Sequence, residues 1–261
     1  MEHLIQHFRK DEQTFIEKVI GWQREVEDRF APKLTDFLDP RERFIVSSII
    51  GQQNDLQVKV YGGFQEAERQ RLFICPSYFE PTAEDFQISF FSINYPSKFM
   101  QLKHPDVLGA LLSLGIGRSK FGDIRIEGDT IQFAVVGEVQ DYVFANLTSI
   151  GKSKVKLESL KAKDPLITLT EEWLEKTYTV SSMRLDVILA TVVNISRQKS
   201  QSLIKAGKVK VNWTVREDTS FEVQESDVLS ARGFGRIKVI MTEGRTKKDK
   251  IRLQVGRLEQ K

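Results

Sequence analysis

The stretch MRLDVILATVVNISRQKSQSLIKAGKVKVNW (183–213) decides the fold of the C-terminal third of this 261-residue chain. Apolar residues at helical spacing predict one helix over 182–193, and Ser196 is a typical N-cap for a second helix that ends at Gly207. Alternating residues predict a strand over 209–215, directly after that glycine. A short basic helix therefore leads straight into a strand.

The corner between this helix and the strands that follow gathers cations and polar donors. Because Leu203 and Ile204 face the core, residues three and four apart in the second helix share its outward side. Further strands are predicted over 227–233 and 235–242. The candidate phosphate contacts are Arg184, Arg197, Lys199, Ser200, Gln201, Lys205, Lys208, Lys210, Asn212, Arg232, Arg236 and Lys238. Guanidinium and ammonium groups pair well with phosphates, so we expect one polyanion-binding surface here.

The charge of the chain is divided unevenly along its length. From Ser182 to the end there are 17 Lys/Arg and 9 Asp/Glu, a net charge of +8. The 181 residues before it carry 22 basic and 27 acidic residues, a net charge of −5, within a total of +3. Such a split is typical of a chain with one polyanion-binding part, although a solvated basic surface is an alternative.

The stretch 183–213, followed by DVLSARGFGRIKV (227–239), resembles the αL, or S-four-type, RNA-binding module. The resemblance rests on the Arg-Leu-Asp start at 184, the Ser-Arg cap at 196 and the stop at Gly207. It implies a pair of helices and a strand corner that grip folded RNA through its backbone. Many members of that family carry Ala-Arg where this chain has Ser200-Gln201, which implies a weaker contact here. We interpret Asp186 as a structural residue that pairs with a nearby arginine or with a backbone N–H, rather than as a catalytic aspartate.

The order of elements before this module predicts a ferredoxin-like, or RRM-like, region. Strands are expected over 87–95, 121–128, 129–136 and 153–160, and helices over 105–115 and 138–151. Upstream, helices are expected in the first 30 residues and from Asp39-Pro40, with strands over 56–62 and 71–76. The predicted fold class is α+β, with an N-terminal helical α/β region (1–82), a ferredoxin-like domain (83–165), a linker (166–181) and an αL-type domain (182–261).

Three further segments extend the resemblance to nearly the whole chain: LTDFLDPRERF (34–44), GGFQEAERQR (62–71) and HPDVLGALLSLGIGRSKFGDI (104–124). They are similar to the YlmH family, whose genes lie among cell-division genes. The resemblance implies a non-enzymatic factor that binds ribosomal RNA on the large ribosomal subunit in ribosome-associated quality control of stalled nascent chains. Peptidyl-tRNA is a further candidate partner.

Three other groups of residues could indicate catalysis or metal binding, but a structural role is favoured for each of them. Glu66 and Glu68 have no nucleophile or cofactor loop beside them, and a turn with surface ion pairs is the expected reading. His3 and His7 are spaced for a metal but lack further ligands, so no metal or cofactor is predicted. Cys75 follows an apolar run and is expected to be buried.

Two segments of the middle region offer alternative RNA contacts. GIGRSKFGD (115–123) could bind an anion through Arg118 and Lys120, although a helix stop before a strand is favoured. Aromatic residues such as Phe90 and Phe133 could stack on bases as in RRM domains. The basic–aromatic signature of those domains is missing, so Phe90, Phe91, Tyr95 and Phe133 are interpreted as core.

The sequence also predicts the cellular location of the protein. No run of about 18 apolar residues occurs, and MEHLIQHFRKDEQ lacks the apolar core of a signal peptide. We expect a cytoplasmic monomer without membrane partners. Two other function classes stay open at this point. One is an enzyme that modifies ribosomal RNA and uses the C-terminal module as a targeting arm. The other is a protein scaffold associated with cell division.

Overall fold

The computed structural model describes residues 8–9, 12–51, 55–168 and 173–258. The chain divides into two compact units, Met1–Leu169 and Thr170–Lys261. Helices and antiparallel sheets are mixed in both, so the predicted α+β class is confirmed. No helix in the described part of the chain combines the length and the apolar character needed to cross a membrane.

The described residues of the first unit form three antiparallel sheets, ordered β1-β3-β2, β5-β6-β4-β9 and β7-β8. Its elements are α1 (Gln13–Arg29), β1 (Lys33–Leu38), α2 (Pro40–Ile50), β2 (Leu56–Tyr61), β3 (Gln70–Pro76), β4 (Ile88–Asn94), α3 (His104–Ser113), β5 (Phe121–Glu127), β6 (Thr130–Val136), α4 (Gln140–Asn146), β7 (Ser149–Ile150), β8 (Ser153–Lys154) and β9 (Lys156–Leu160). The four-stranded sheet has the strand order of the ferredoxin-like fold, as predicted. Strand β1 was not predicted, because Asp36 interrupts its short apolar run.

The first helices follow from local signals in the sequence. The Asp39 side chain accepts a hydrogen bond from the Glu42 N–H at 2.8 Å, and the Glu42 carboxylate accepts one from the Asp39 N–H. This capping box and Pro40 at the first position confirm the predicted start of α2. Gly21 lies within the continuous helix α1.

One face of the four-stranded sheet is covered by the N-terminal region. Phe37, Phe64 and Ala134 share a buried cluster, and the ring of Phe90 packs edge-on against Phe64 with centroids 5.4 Å apart. Phe133 is fully buried on the helix-covered face of the same sheet. The sheet therefore has no open aromatic face for RRM-type stacking, and the interpretation of these rings as core is confirmed. The predicted regions 1–82 and 83–165 thus share part of their core.

The loop GGFQEAERQR (62–71) is structural. Arg71 is buried and donates hydrogen bonds to the backbone carbonyls of Thr35 at 2.7 Å and Phe86 at 2.8 Å. The Asp123 carboxylate accepts from the backbone N–H groups of Glu68 and Arg69. The Arg71 guanidinium also pairs with the Glu138 carboxylate at 3.5 Å, but Arg71 is buried, so this ion pair differs from the expected surface pair.

The second unit is one antiparallel sheet, ordered β10-β15-β14-β13-β11-β12, with two helices on one face. Its elements are β10 (Leu174–Val180), α5 (Leu185–Val192), α6 (Arg197–Lys205), β11 (Val209–Val211), β12 (Thr214–Val215), β13 (Val228–Ala231), β14 (Gly235–Arg245) and β15 (Ile251–Leu258). Ile188 and Ile204 of the helices pack against Val211, Leu229 and Ile237 of the sheet. The predicted helix–strand corner is present.

Residues 166–181 were expected to form a linker. This prediction is wrong for Leu174–Val180, which forms strand β10. This strand pairs with β15 from Leu174 opposite Arg257 to Val180 opposite Ile251. It was missed because an edge strand is largely exposed, so its apolar alternation is weak.

Candidate nucleic-acid interface

A buried carboxylate organises the start of the two helices in the second unit. The Asp186 side chain has no accessible surface and accepts hydrogen bonds from Arg184 Nε at 3.0 Å, Arg197 Nε at 2.9 Å and Gln201 Nε2 at 2.8 Å. We call Arg184, Asp186, Arg197 and Gln201 the Asp186 cluster. The cluster joins α5 to α6 and fixes two guanidinium groups beside each other.

The electrostatics of the cluster keep Asp186 ionised. Burial alone would raise the pKa of its carboxyl, but the hydrogen bonds from Arg184, Gln201 and Arg197 outweigh burial and lower the pKa to about 2. The side chains of Arg184 and Arg197 are 39% and 56% exposed. Among the described residues, Arg197 contacts Asp186 through Nε alone. Its Nη groups therefore remain available to a ligand in solvent.

Residues along α6 extend this surface. Arg197, Gln201 and Lys205 are four residues apart and form one stripe along the helix. The backbone N–H of Arg232 donates to the Lys208 carbonyl at 3.0 Å, which brings the turn after β13 beside the end of α6.

Lys199 also links α6 to the turn after β13. Its Nζ lies 5.7 Å from the centroid of the Phe234 ring. We define the helix-side surface as Arg184, Arg197, Lys199, Gln201, Lys205, Lys208 and Arg232.

The prediction that Ser200 contacts phosphate is wrong. Ser200 is fully buried, and its Oγ donates a hydrogen bond to the Asp186 carbonyl at 3.0 Å. It lies four residues before Ile204, on the face of α6 that packs against α5. That spacing was readable in the sequence and would have assigned Ser200 to the helix contact.

Asn212 has a structural role in the turn after β11, and its contact with phosphate stays a prediction. Asn212 and Trp213 have φ values of 47° and 64°, as in the type I′ turn that joins two antiparallel strands. The Asn212 Nδ2 donates to Asp227 Oδ1 at 2.8 Å, and its Oδ1 accepts from the Val228 N–H at 2.9 Å. The amide nitrogen and the amide oxygen of Asn212 thus both stabilise the turn.

The strand cations do not share the helix-side surface. Lys210 and Arg236 lie opposite Ser230 in adjacent strands, and Lys238 follows two residues after Arg236 on the same face. Their neighbours Val211 and Ile237 point into the core beneath the helices. Because side chains alternate along a strand, Lys210, Arg236 and Lys238 project from the opposite face of the sheet. The expected single surface is therefore corrected to two separate ones.

The second possible RNA contact, in GIGRSKFGD (115–123), is not supported. The Arg118 guanidinium donates to the carbonyls of Phe121 and Gly122, and its burial lowers its pKa to about 10. The Lys120 ammonium pairs with Asp36 at 2.7 Å and Glu138 at 2.9 Å. Arg118 and Lys120 therefore both bind to groups within the first unit.

The other groups considered for chemistry have structural surroundings. Cys75 is fully buried, as predicted, and burial raises the pKa of its thiol. His3 and His7 lie outside the described residues. In the described ranges, no group of three or more His, Cys, Asp or Glu is arranged to hold a metal ion.

Comparisons with known proteins match this architecture. Three family models match the chain: "YlmH, N-terminal" over 11–79, "Putative RNA-binding domain in YlmH" over 81–164 and "S4 domain" over 183–229. The ribosome-associated protein quality control protein P2 of Bacillus subtilis (strain 168) is 44% identical over 257 residues, which are 98% of this chain and 99% of that protein. The structure of cell division protein ylmH from Streptococcus pneumoniae is 33% identical with a TM-score of 0.52, and the match covers 59% of this chain and 94% of that one.

Proposed function

This chain belongs to the YlmH family, and we propose that it is a non-enzymatic protein that binds ribosomal RNA through its S4 domain. The observation that carries the proposal is the Asp186 cluster. A fully buried, ionised carboxylate holds Arg184 and Arg197 in fixed positions at the surface. Guanidinium groups held in this way are suited to phosphate oxygens.

The mode of binding follows from the chemistry of the helix-side surface. It offers guanidinium and ammonium groups, which suit phosphate oxygens, and its defined set contains no aromatic side chain that would form a platform for bases. If about five phosphates are neutralised, the logarithm of affinity falls with the logarithm of salt with a slope on the order of −4. Structured RNA is therefore the expected ligand, held by position rather than by base sequence.

The ribosome is the proposed place of action. The Bacillus subtilis relative, which matches over nearly its whole length, is named for ribosome-associated protein quality control. We propose the same role here, on the large ribosomal subunit in the cytoplasm and next to peptidyl-tRNA, where stalled nascent chains are processed. The name of the Streptococcus pneumoniae neighbour supports a link to cell division.

Co-sedimentation with purified large ribosomal subunits tests the proposal. The double variant Arg197→Ala/Lys205→Ala removes two exposed cations of the helix-side surface and should abolish most of the association. The matched control Lys18→Ala/Arg24→Ala removes two exposed cations of α1, outside both segments that match RNA-binding domains, and should bind as the wild type does. Equal binding by the wild type and the Arg197/Lys205 variant would contradict the proposed RNA contact.

A further inference from the structure

A long hairpin extends the sheet of the second unit beyond the segment that matches the S4 domain, 183–229. Strand β13 pairs with β14 only over Gly235–Lys238. The rest of β14 continues as a ladder with β15 as far as Arg245 opposite Ile251. Five cations lie at the end of this hairpin. We call Arg245, Lys247, Lys248, Lys250 and Arg252 the basic hairpin tip.

The tip is a defined turn. The Thr246 N–H donates to the Lys250 carbonyl at 2.7 Å, and the Lys250 N–H donates to Thr246 Oγ1 at 3.1 Å. Asp249 adopts a left-handed φ of 55° within the turn, and Gly244, with a φ of 91°, lies at the irregularity of the ladder just before it. Strand β10 supports β15 along its whole length on the other side. The lysines are therefore held in place by backbone structure.

The carboxylates near the tip are already paired with arginines. Asp249 accepts from Arg245 Nη1 at 2.8 Å, and Glu243 pairs with Arg252 Nη2 at 3.3 Å. Lys247, Lys248 and Lys250 are exposed, and none of them has a carboxylate partner among the described residues. The tip thus presents three uncompensated ammonium groups.

The base of the tip lies near the Asp186 cluster. Ile251 is paired with Val180, whose Cα lies about 5 Å away across the ladder. Arg184 follows Val180 by four residues, and four residues span at most about 14 Å. The base of the tip is therefore within about 20 Å of Arg184. Phosphates follow one another every few ångströms along a nucleic-acid strand, so one folded RNA can reach both places.

We propose that the basic hairpin tip is a second phosphate-binding surface, outside the S4 core, for the RNA that the helix-side surface binds. The inference rests on the proposed function. Lysines act as point charges and the tip carries no aromatic side chain, so this contact reads no bases. It adds to affinity and to the salt dependence of binding for any RNA of suitable shape.

The test compares three variants in binding to purified large ribosomal subunits at several KCl concentrations between about 50 and 200 mM. Lys247→Ala/Lys248→Ala/Lys250→Ala should weaken binding roughly ten- to hundredfold at about 0.1 M salt and reduce the log–log slope by about 2. Lys247→Arg/Lys248→Arg/Lys250→Arg keeps the charges and should bind like the wild type. Lys18→Ala/Arg24→Ala/Arg29→Ala removes the same charge from exposed positions of α1, outside the segments that match RNA-binding domains, and should have little effect.

The outcomes separate this inference from the proposed function. If the Arg197/Lys205 variant is weakened but the alanine variant of the tip binds like the wild type, the tip contact is refuted and the proposed function stands. If the wild type does not bind the subunits, the proposed function fails. If the tip variant loses affinity for subunits but keeps full affinity for ribosomal RNA stripped of protein, the tip binds an acidic protein and the inference is wrong.

Discussion

Replacing Asp186 by Asn isolates the contribution of the buried carboxylate, because the two side chains have nearly the same shape. Each pKa unit corresponds to about 1.4 kcal/mol, so a depression from 3.8 to about 2 amounts to roughly 2.5 kcal/mol of stability at neutral pH. Water screens part of this attraction, since Arg184 and Arg197 are partly exposed. We expect Asp186→Asn to lower the free energy of unfolding by about 1–2 kcal/mol at pH 7, as measured by urea titration.

The pH dependence of that loss has a definite sign. The pKa of Asp186 is lower in the folded protein than in the unfolded chain, so its stabilisation is complete well above pH 3.8. It disappears as the pH falls from 3.8 through about 2, where the folded carboxylate becomes protonated. The stability difference between the wild type and Asp186→Asn should therefore narrow below about pH 4. A difference that stays constant over this range would refute the assignment.

The same variant separates positioning from net charge in RNA binding. Asp186→Asn removes a negative charge, so an account based on charge alone expects tighter binding. We expect weaker binding, by roughly fivefold or about 1 kcal/mol, because the Arg184 and Arg197 side chains lose the anchor that orients them. Asp28→Asn removes one negative charge from an exposed position of α1, outside the segments that match RNA-binding domains, and serves as the control. Tighter binding of RNA by Asp186→Asn than by Asp28→Asn would refute the reasoning.

Three further substitutions test the structural roles assigned above. Ser200→Ala removes the buried hydrogen bond between α6 and α5 and should cost about 1 kcal/mol in urea unfolding, with RNA affinity unchanged. Asn212→Ala removes the amide that supports the turn between β11 and β12 and should cost about 1–2 kcal/mol, again without a selective effect on the salt slope of RNA binding. Gly63→Ala places a Cβ atom against the Phe90 ring at a φ of 83° and should destabilise the first unit by on the order of 2 kcal/mol, measured as an earlier thermal transition.

Much of the fold was readable because the decisive signals are local. The capping box at Asp39, the hairpin turn at Gly128 and the helix stop at Gly207 each specify backbone geometry over a few residues. Strands β1 and β10 were not predicted from the sequence, each for a different reason. The first is short and contains a charged residue, and the second is exposed along an edge.

The site was predictable in its composition but not in its geometry. The sequence indicated a basic helix–strand corner, and Arg197 and Lys205 do lie at the surface. Strand alternation was applied to Lys210 without knowing which face of the sheet the helices cover. The role of Asp186 as a shared acceptor for three side chains depends on contacts between helices, which residue spacing along one helix does not specify.

The most direct test is a high-resolution cryo-EM map of the protein bound to the large ribosomal subunit. We expect RNA phosphate oxygens within about 3 Å of the Arg197 guanidinium and the Lys205 ammonium groups, with Asp186 still bound to Arg197. A map in which α6 faces solvent or ribosomal protein, with the RNA held by another part of the chain, would contradict it.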